Sequence, residues 1–318
     1  MDVVEDKVSR KKGKSNRGKR RNDRKNRDKK PDGKCCHGIN EPVDAVTGSF
    51  YIEECDLIIN DILEDVALER FYQSIHNRVS LLGKGWNLSI FSSLEFETEY
   101  IKLYTFENKK EVFTINENDE IKSLRGGEEI YSLTKLEKGY KVYNTLKRQT
   151  LLYDEDGILL SVIDRNGNKR EYIYENTILK RINFQSGQYF DLEIKEAKIK
   201  TITDNMGCQI KYEYDGDYLI SVEIPNAGIE RYSYNDKGLI SSITNADGVT
   251  FVKNTYDDKA RIIYQELYNG QEYVTEYDDE NYTNTFSYPK MTEDRTEKYV
   301  YDENDLPIKI IYGDNTYE

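Results

Sequence analysis

From Tyr153 onward, short apolar stretches and polar turns follow one another on a regular beat. At several beats a Tyr recurs at every second position: Tyr172-Ile173-Tyr174, Tyr212-Glu213-Tyr214, Tyr232-Ser233-Tyr234 and Tyr299-Val300-Tyr301. Residues two apart on a strand share a face, so each Tyr-x-Tyr places both rings on one side. Turn signals lie between the beats, at Asp156-Gly157, Asn166-Gly167, Asp215-Gly216, Lys237-Gly238, Asp247-Gly248 and Asn269-Gly270. These pairs supply the positive φ that two-residue hairpin turns require. Apolar strands follow several of them, as in Ile158–Val162 and Leu239–Ile243. No ten-residue window has a convincing period of 3.6, so little helix is expected.

The beat is a repeat. Its anchors are Tyr153, Tyr174, Ile194 (a degenerate copy), Tyr214, Tyr234, Tyr256, Tyr277 and Tyr301, spaced 21, 20, 20, 20, 22, 21 and 24 residues apart. Such a period marks one supersecondary unit copied along the chain, each copy burying its apolar face against its neighbours. At about ten residues per strand and turn, the unit is one β-hairpin. Twenty of the 27 Tyr lie in residues 153–318, where they can pair across strands.

Upstream the alternation is shorter but still β-like: Leu94, Phe96 and Thr98, then Tyr104 and Phe106, then Val112, Thr114 and Asn116, with a turn at Lys138-Gly139. The expected map is a disordered basic segment 1–34, a pre-repeat domain 35–92, connecting hairpins 93–152 and the array 153–318. The array has about seven units, the last incomplete. The fold class is all-β, with consecutive antiparallel hairpins in a curved, spiral, partly open sheet.

The run Tyr-Asn-Asp-Lys-Gly-Leu-Ile-Ser-Ser-Ile-Thr-Asn-Ala-Asp-Gly-Val-Thr at 234–250 resembles the YD repeat of Rhs and related polymorphic-toxin proteins. Glu41-Pro42-Val43-Asp44-Ala45-Val46-Thr47-Gly48 is similar to the Asp-Pro-Val-Asp-x-x-Thr-Gly opening of the DUF6531-type domain that precedes those repeats. That domain's Arg-x-Tyr and Gly-x-Gly-Trp are matched by Arg70-Phe71-Tyr72 and Gly83-Lys84-Gly85-Trp86. The resemblance covers residues 38–318, with Glu41 the one departure. It marks Pro42, Asp44, Thr47, Gly48, Arg70, Tyr72, Gly83, Gly85 and Trp86 as motif positions.

Composition agrees with an extended β protein. Hydrophobic residues make up 37% of 318, low for an enzyme core, whereas a strip of hairpins needs one buried face. No apolar run approaches the roughly 18–20 residues of a membrane helix, and no signal-peptide stretch opens the chain. Residues 1–34 hold 15 basic and 6 acidic side chains, against 31 and 53 in the remainder. The segment reads as a tether that cannot bury enough surface to fold. Its cations also suit unspecific contact with nucleic acid or anionic membranes, while the acidic body repels nucleic acid.

Candidate chemistry is sparse. Cys35, Cys36, His37 and Cys55 are zinc-type ligands, but adjacent Cys seldom share one metal, and ordinary thiols explain them. A Cys nucleophile, with Cys208 the fourth thiol, has only His37 and His76 as bases, neither tied to it. Acidic clusters such as Asp154-Glu155-Asp156-Gly157 and Asp215-Gly216-Asp217 are too short for calcium and fit turn chemistry. Paired carboxylates are uninformative among 59 acids. Trp86 reads as a buried anchor, with sugar stacking the alternative. Arg70, in the apolar stretch 66–72, reads as a paired, partly buried structural Arg. No catalytic residue, metal or cofactor is expected.

The resemblance implies a shell of hairpins wound around a C-terminal toxin and released by an aspartyl-type self-cleavage near Asp-Pro-x-Gly-Leu. None of the five Pro follows an Asp, so neither that motif nor a toxin is expected in this chain. The expected role is a non-enzymatic shell segment in competition between bacteria, secreted or at the cell surface, cytoplasmic before export. Its partners are the toxin or the remaining repeats. The alternative is a surface carbohydrate-binding or adhesion module. An open terminal strand near 299–312, carrying Ile308, Ile310 and Ile311, predicts self-association.

Overall fold

Among the described residues every regular element is a strand. A computed structural model describes residues 43–59, 63, 66–116, 121–124, 130–289, 295–302, 306–313 and 315–317. Compactness divides the chain into Met1–His37 and Gly38–Glu318. Pro42 and the whole basic segment 1–34 lie outside the described residues, as do Cys35, Cys36 and His37.

Consecutive hairpins form a nineteen-stranded sheet in strict chain order, from Tyr131–Lys135 to Asn315–Tyr317. It is antiparallel throughout and its last strand does not return to its first, so it is not a barrel. It begins inside the stretch expected to be connecting hairpins. Residues 93–123 make a separate four-stranded sheet, Ser93–Phe96, Tyr100–Tyr104, Lys110–Ile115 and Ile121–Ser123. Before it, Tyr51–Ile59, Val66–Gln73 and Trp86–Leu88 pair as a three-stranded sheet.

Each anchor has a fixed place in its hairpin. The ladder slips by one residue at Leu152/Tyr153, Ile173/Tyr174, Glu193/Ile194, Glu213/Tyr214, Ser233/Tyr234, Thr255/Tyr256 and Val300/Tyr301. Such a bulge sharpens the local twist and re-aims the side chain beside it. Tyr277 alone among the anchors pairs in regular register, with Asn284. In the hairpin of Gly228–Tyr234, both Tyr232 and Tyr234 reach Trp86, so the two rings share a side as their spacing implies.

At Asp215-Gly216 the turn has the expected two-residue form, Asp215 pairing with Tyr218, but the other five Gly pairs differ from it. After Tyr153, the Asp154 N–H donates to the Ile158 carbonyl at 3.0 Å, and Gly157 N–H to Asp154 at 3.3 Å with φ +81°. That is a three-residue loop with Gly in the left-handed position, which matches strand twist as a primed turn does. The Asp154 carboxylate caps it, accepting the N–H groups of Asp156 at 3.0 Å and Ile158 at 2.8 Å. The same cap recurs at Asp164, Asp204, Asn235, Asn245 and Asp257. In the cluster at 154–157 the acid is therefore a turn cap, its oxygen directed at backbone N–H groups, while Asp217 of the second cluster pairs with Lys198 at 2.9 Å. Two-residue turns occur also at Asn176-Thr177 and Glu196-Ala197, where both central residues have positive φ.

The strand Pro307–Tyr312 is not the last of the sheet, because Asn315–Tyr317 pairs along it and Ile310 faces Tyr317. Ile308 remains exposed, whereas Ile310 and Ile311 are half-buried.

Removing one cap tests the turn chemistry. Asn235→Ala, which leaves two N–H groups without their acceptor, should cost about 1 kcal/mol, read from equilibrium denaturation. Hydrogen exchange at Lys237 and Leu239 should rise selectively.

Candidate functional site: the seam between the pre-repeat domain and the array

In Val66–Gln73 the buried positions Val66, Leu68, Arg70 and Tyr72 lie two apart and share one face. An Arg within an apolar row must find partners or unfold the row. Arg70 finds them on both sides of the seam and is 1% exposed, so it is fully rather than partly buried. Its Nε donates to Asp56 at 2.5 Å, its Nη1 meets the Tyr232 hydroxyl, and Nη2 lies 3.6 Å from Glu230. The guanidinium stands 5.6 Å from the Trp86 ring centre and 5.8 Å from that of Tyr232. Tyr212 donates to the second Asp56 oxygen at 2.8 Å, and Tyr232 to Glu230.

Burial pushes the Asp56 carboxyl up, against Arg70 and the Tyr212 hydrogen bond, which pull it down. For Arg70 burial acts downward, but Asp56, Tyr232 and Glu230 together hold it well above its ordinary value. The cluster is a closed circuit of buried donors and acceptors. It cross-links the three-stranded sheet to the nineteen-stranded one.

The other motif residues serve the same seam. Asp44 accepts from the N–H of Val46 at 3.1 Å and of Thr47 at 2.7 Å, and from the Thr47 hydroxyl at 2.8 Å. The turn so built brings Gly48, at φ +69°, against the ring of Tyr277, where any Cβ would collide. The Gly48 carbonyl accepts the Ile262 N–H at 2.9 Å. Gly83, at φ +107°, leaves room for the Asp217 carbonyl, which accepts Lys84 N–H at 2.8 Å. A Cβ on Gly85 would meet the Tyr72 ring at 2.8 Å. Trp86 packs between Tyr72 and Tyr232, with centroids at 5.1 and 4.9 Å, and donates to the Tyr234 hydroxyl at 3.1 Å. The Tyr72 hydroxyl accepts the Ile240 N–H at 3.3 Å.

The anchors stitch hairpins together from the same face. Tyr174, Tyr234 and Tyr277 donate to the carbonyls of Leu159, Leu219 and Ile262, each fifteen residues back, at 2.9, 2.7 and 2.6 Å. Tyr256 donates to Ile240 at 2.8 Å, Tyr301 to the Asn284 side chain at 3.4 Å, and Tyr153 is 2.7 Å from the Ser92 hydroxyl. Tyr214 is the exception, its hydroxyl without a partner. The Ile199 N–H in the adjoining strand is taken by Leu81 of the domain.

Residues 40–113 match the family model described as Domain of unknown function (DUF6531). Behind them stand hairpins in which a Tyr is followed by a capping Asp or Asn at Tyr153, Tyr234, Tyr256, Tyr277 and Tyr301. That match supports the resemblance to the Rhs/YD-repeat family. No curated protein matches it. Among solved structures, it is similar to a chain in the crystal structure of TcdB2-TccC3-Cdc42, at 11% identity and TM-score 0.34, over 67% of this chain and 15% of that one. A chain in that of TcdB2-TccC3-TEV gives 11% and 0.33, over 78% and 18%. The protein thus spans less than a fifth of either.

The seam uses one side chain from each half that no motif marked. Asp56 lies in Tyr51–Ile59 and Glu230 in Gly228–Tyr234; their alternation looks like ordinary strand polarity. Farther along, Asn284 is fully buried and donates to the carbonyls of Ala45 at 2.9 Å and Val46 at 2.5 Å. Cys55 and Cys208 are half-buried, and the Cys55 thiol donates to the Leu57 carbonyl at 3.7 Å. No cluster of three or more His, Cys, Asp or Glu able to hold a metal occurs among the described residues. His76 is held below its ordinary value by burial.

Arg70→Met should destabilise the chain by about 3–5 kcal/mol, because Asp56 is left buried and unpaired; denaturant unfolding followed by tryptophan fluorescence reads it at Trp86. Alkaline pH should act through the seam phenols. Burial raises Tyr212, Tyr232 and Tyr256 well above the ordinary value, so the unfolded chain loses these protons first. Stability should be full below about pH 10 and fall as pH rises beyond it. Absorbance at 295 nm should show those phenols ionising only together with loss of the β-sheet circular dichroism signal.

Proposed function

We propose that this chain is a non-enzymatic shell segment of an Rhs/YD toxin-delivery protein acting in competition between bacteria, with the pre-repeat domain as its plug. One observation carries the reading. The aromatic face of the sheet, which would enclose cargo, is occupied by the domain from the Ser92–Tyr153 contact to the Asn284–Ala45 contact. A wall sealed on its inside by its own domain is an end piece. Cargo then belongs to repeats or a toxin domain outside these residues, and these are the partners. Secretion or display at the cell surface follows from that role; among the described residues no helix is long and apolar enough to cross a membrane. Self-association, where it occurs, runs through the last strands, where Ile308 is 55% exposed.

A second reading, carbohydrate binding, is favoured by a cavity of about 310 Å³ at the far end of the seam. Tyr51, Tyr273, Phe286, Tyr288 and Tyr299 line it, with Glu297 and the buried Thr275. The Thr275 hydroxyl makes no well-formed hydrogen bond, its neighbour Tyr277 already donating to Ile262. Aromatic faces with a few convergent polar groups suit a sugar ring.

Deleting the gene from its host should abolish killing of a susceptible strain in co-culture, and the wild-type gene should restore it; unchanged killing would refute the delivery role. The purified chain should cleave neither nucleic acid nor peptide, and cleavage lost in His76→Ala would overturn the non-enzymatic reading. Binding on a glycan array that disappears in Tyr288→Ala would establish the second reading.

A further inference from the structure

Seven hairpins carry a bulge at the anchor position, and six place a Tyr there; Ile194 is the exception. Where a phenol reaches across to the preceding strand, as in Tyr174, Tyr234 and Tyr277, it meets the carbonyl fifteen residues back. For position 194 that carbonyl belongs to Leu179, and Ile cannot donate to it. A second ring is missing beside the first. Tyr218 packs on Tyr234 with centroids 4.9 Å apart, whereas forty residues earlier the same two positions hold Ile178 and Ile194.

The loss leaves space. Ile178, Leu179 and Ile194 line a largely apolar cavity of about 470 Å³, lined also by Leu81 and Phe91 of the pre-repeat domain and by Leu94 of the four-stranded sheet. The walls cannot close on it, because contacts on both flanks hold domain and sheet apart. Tyr172 donates to the Ile90 carbonyl at 2.6 Å on one flank. On the other, Ile199 N–H meets Leu81 at 2.9 Å and Lys84 N–H meets Asp217 at 2.8 Å. A cavity held open in this way keeps its missing contacts as binding energy for a guest of the right shape. The rim is rigid: Arg78 bonds to Glu95 at 2.9 Å and Ser93 at 2.8 Å and lies 4.2 Å from the Tyr104 ring centre. Exposed Asp156 and Glu196 at the mouth disfavour a guest bearing a carboxylate.

We propose that this cavity binds a neutral phenolic ring, a para-alkyl phenol or the tyrosine side chain of a peptide, which stands in for the missing anchor and donates its hydroxyl to the Leu179 carbonyl. The repeats of Tyr174, Tyr234 and Tyr277 show both the ring's place and its acceptor. The donated hydrogen bond is what separates a phenol from a plain arene in this site.

The test is calorimetric titration of the full chain with p-cresol, toluene and N-acetyl-Gly-Tyr-Gly-amide. p-Cresol should bind, and toluene about tenfold more weakly for want of one hydrogen bond. Peptide binding as tight as that of p-cresol identifies a protein side chain as the guest, and p-cresol binding alone identifies a free phenol. Ile194→Tyr should abolish p-cresol binding and raise the melting temperature. On the wild-type chain, isoleucine-methyl NMR should show Ile178 and Ile194 shifting with p-cresol while Ile308 stays still, a readout that does not depend on the variant folding. Absence of p-cresol binding, equal affinity for toluene, or binding unchanged in a folded Ile194→Tyr would each overturn the proposal.

Discussion

A sheet of hairpins with one face of tyrosines and aliphatics cannot leave that face in water, and covering it organises the rest of this structure. Fourteen consecutive strands, from Gln149–Tyr153 to Thr283–Tyr288, span the stretch that meets the domain. Laid flat they would extend about 60 Å, far more than the three short strands of the domain can reach. The sheet therefore bends round the domain, and a bulge at nearly every anchor supplies the bend. Polar groups drawn into the seam are partnered nearly everywhere, through Arg70 and Asp56 at its middle and Asn284 at its end. The fold is consequently one cooperative body in which neither half has a complete core alone.

What was legible in the chain was local. Tyr and Asp recur together because the ring and the turn cap belong to one strand end, so a single period reports both. The β class and the order of the hairpins followed from that period. The bulge was hidden, since slipping the ladder by one residue leaves the composition of a strand unchanged. Turn length was misread at five of the six Gly pairs for a similar reason: Gly with positive φ serves both two- and three-residue loops, and an Asp or Asn three positions earlier accompanies the longer form at four of the five.

The seam was legible only as marked residues without a reason. Gly48, Gly83, Gly85 and Trp86 stood out as a motif, but what each answers to lies elsewhere: Tyr277 for Gly48, the Asp217 carbonyl for Gly83, Tyr234 for Trp86. Arg70 and Tyr232 are 162 residues apart, and no periodicity connects two such positions. Asp56 and Glu230 carried no signal at all, because an acid in a half-buried strand is commonplace. Ile194, by contrast, was visible as a broken beat, and its meaning waited on the cavity beside it.

The order of these long contacts runs opposite to the order of the domain. Ser92 and Ile90, late in the domain, meet Tyr153 and Tyr172 at the start of the array; Ala45 and Val46, early in it, meet Asn284 near the end. On a ribosome the domain emerges first, and each new hairpin, closed by its own local turn, arrives beside the next uncovered patch. Winding can then proceed as a thread onto a spool, one hairpin per twenty residues synthesised, with little aromatic surface waiting in solvent at any moment. The N-terminal position of the domain is thus a kinetic property of the gene order as much as a feature of the finished wall.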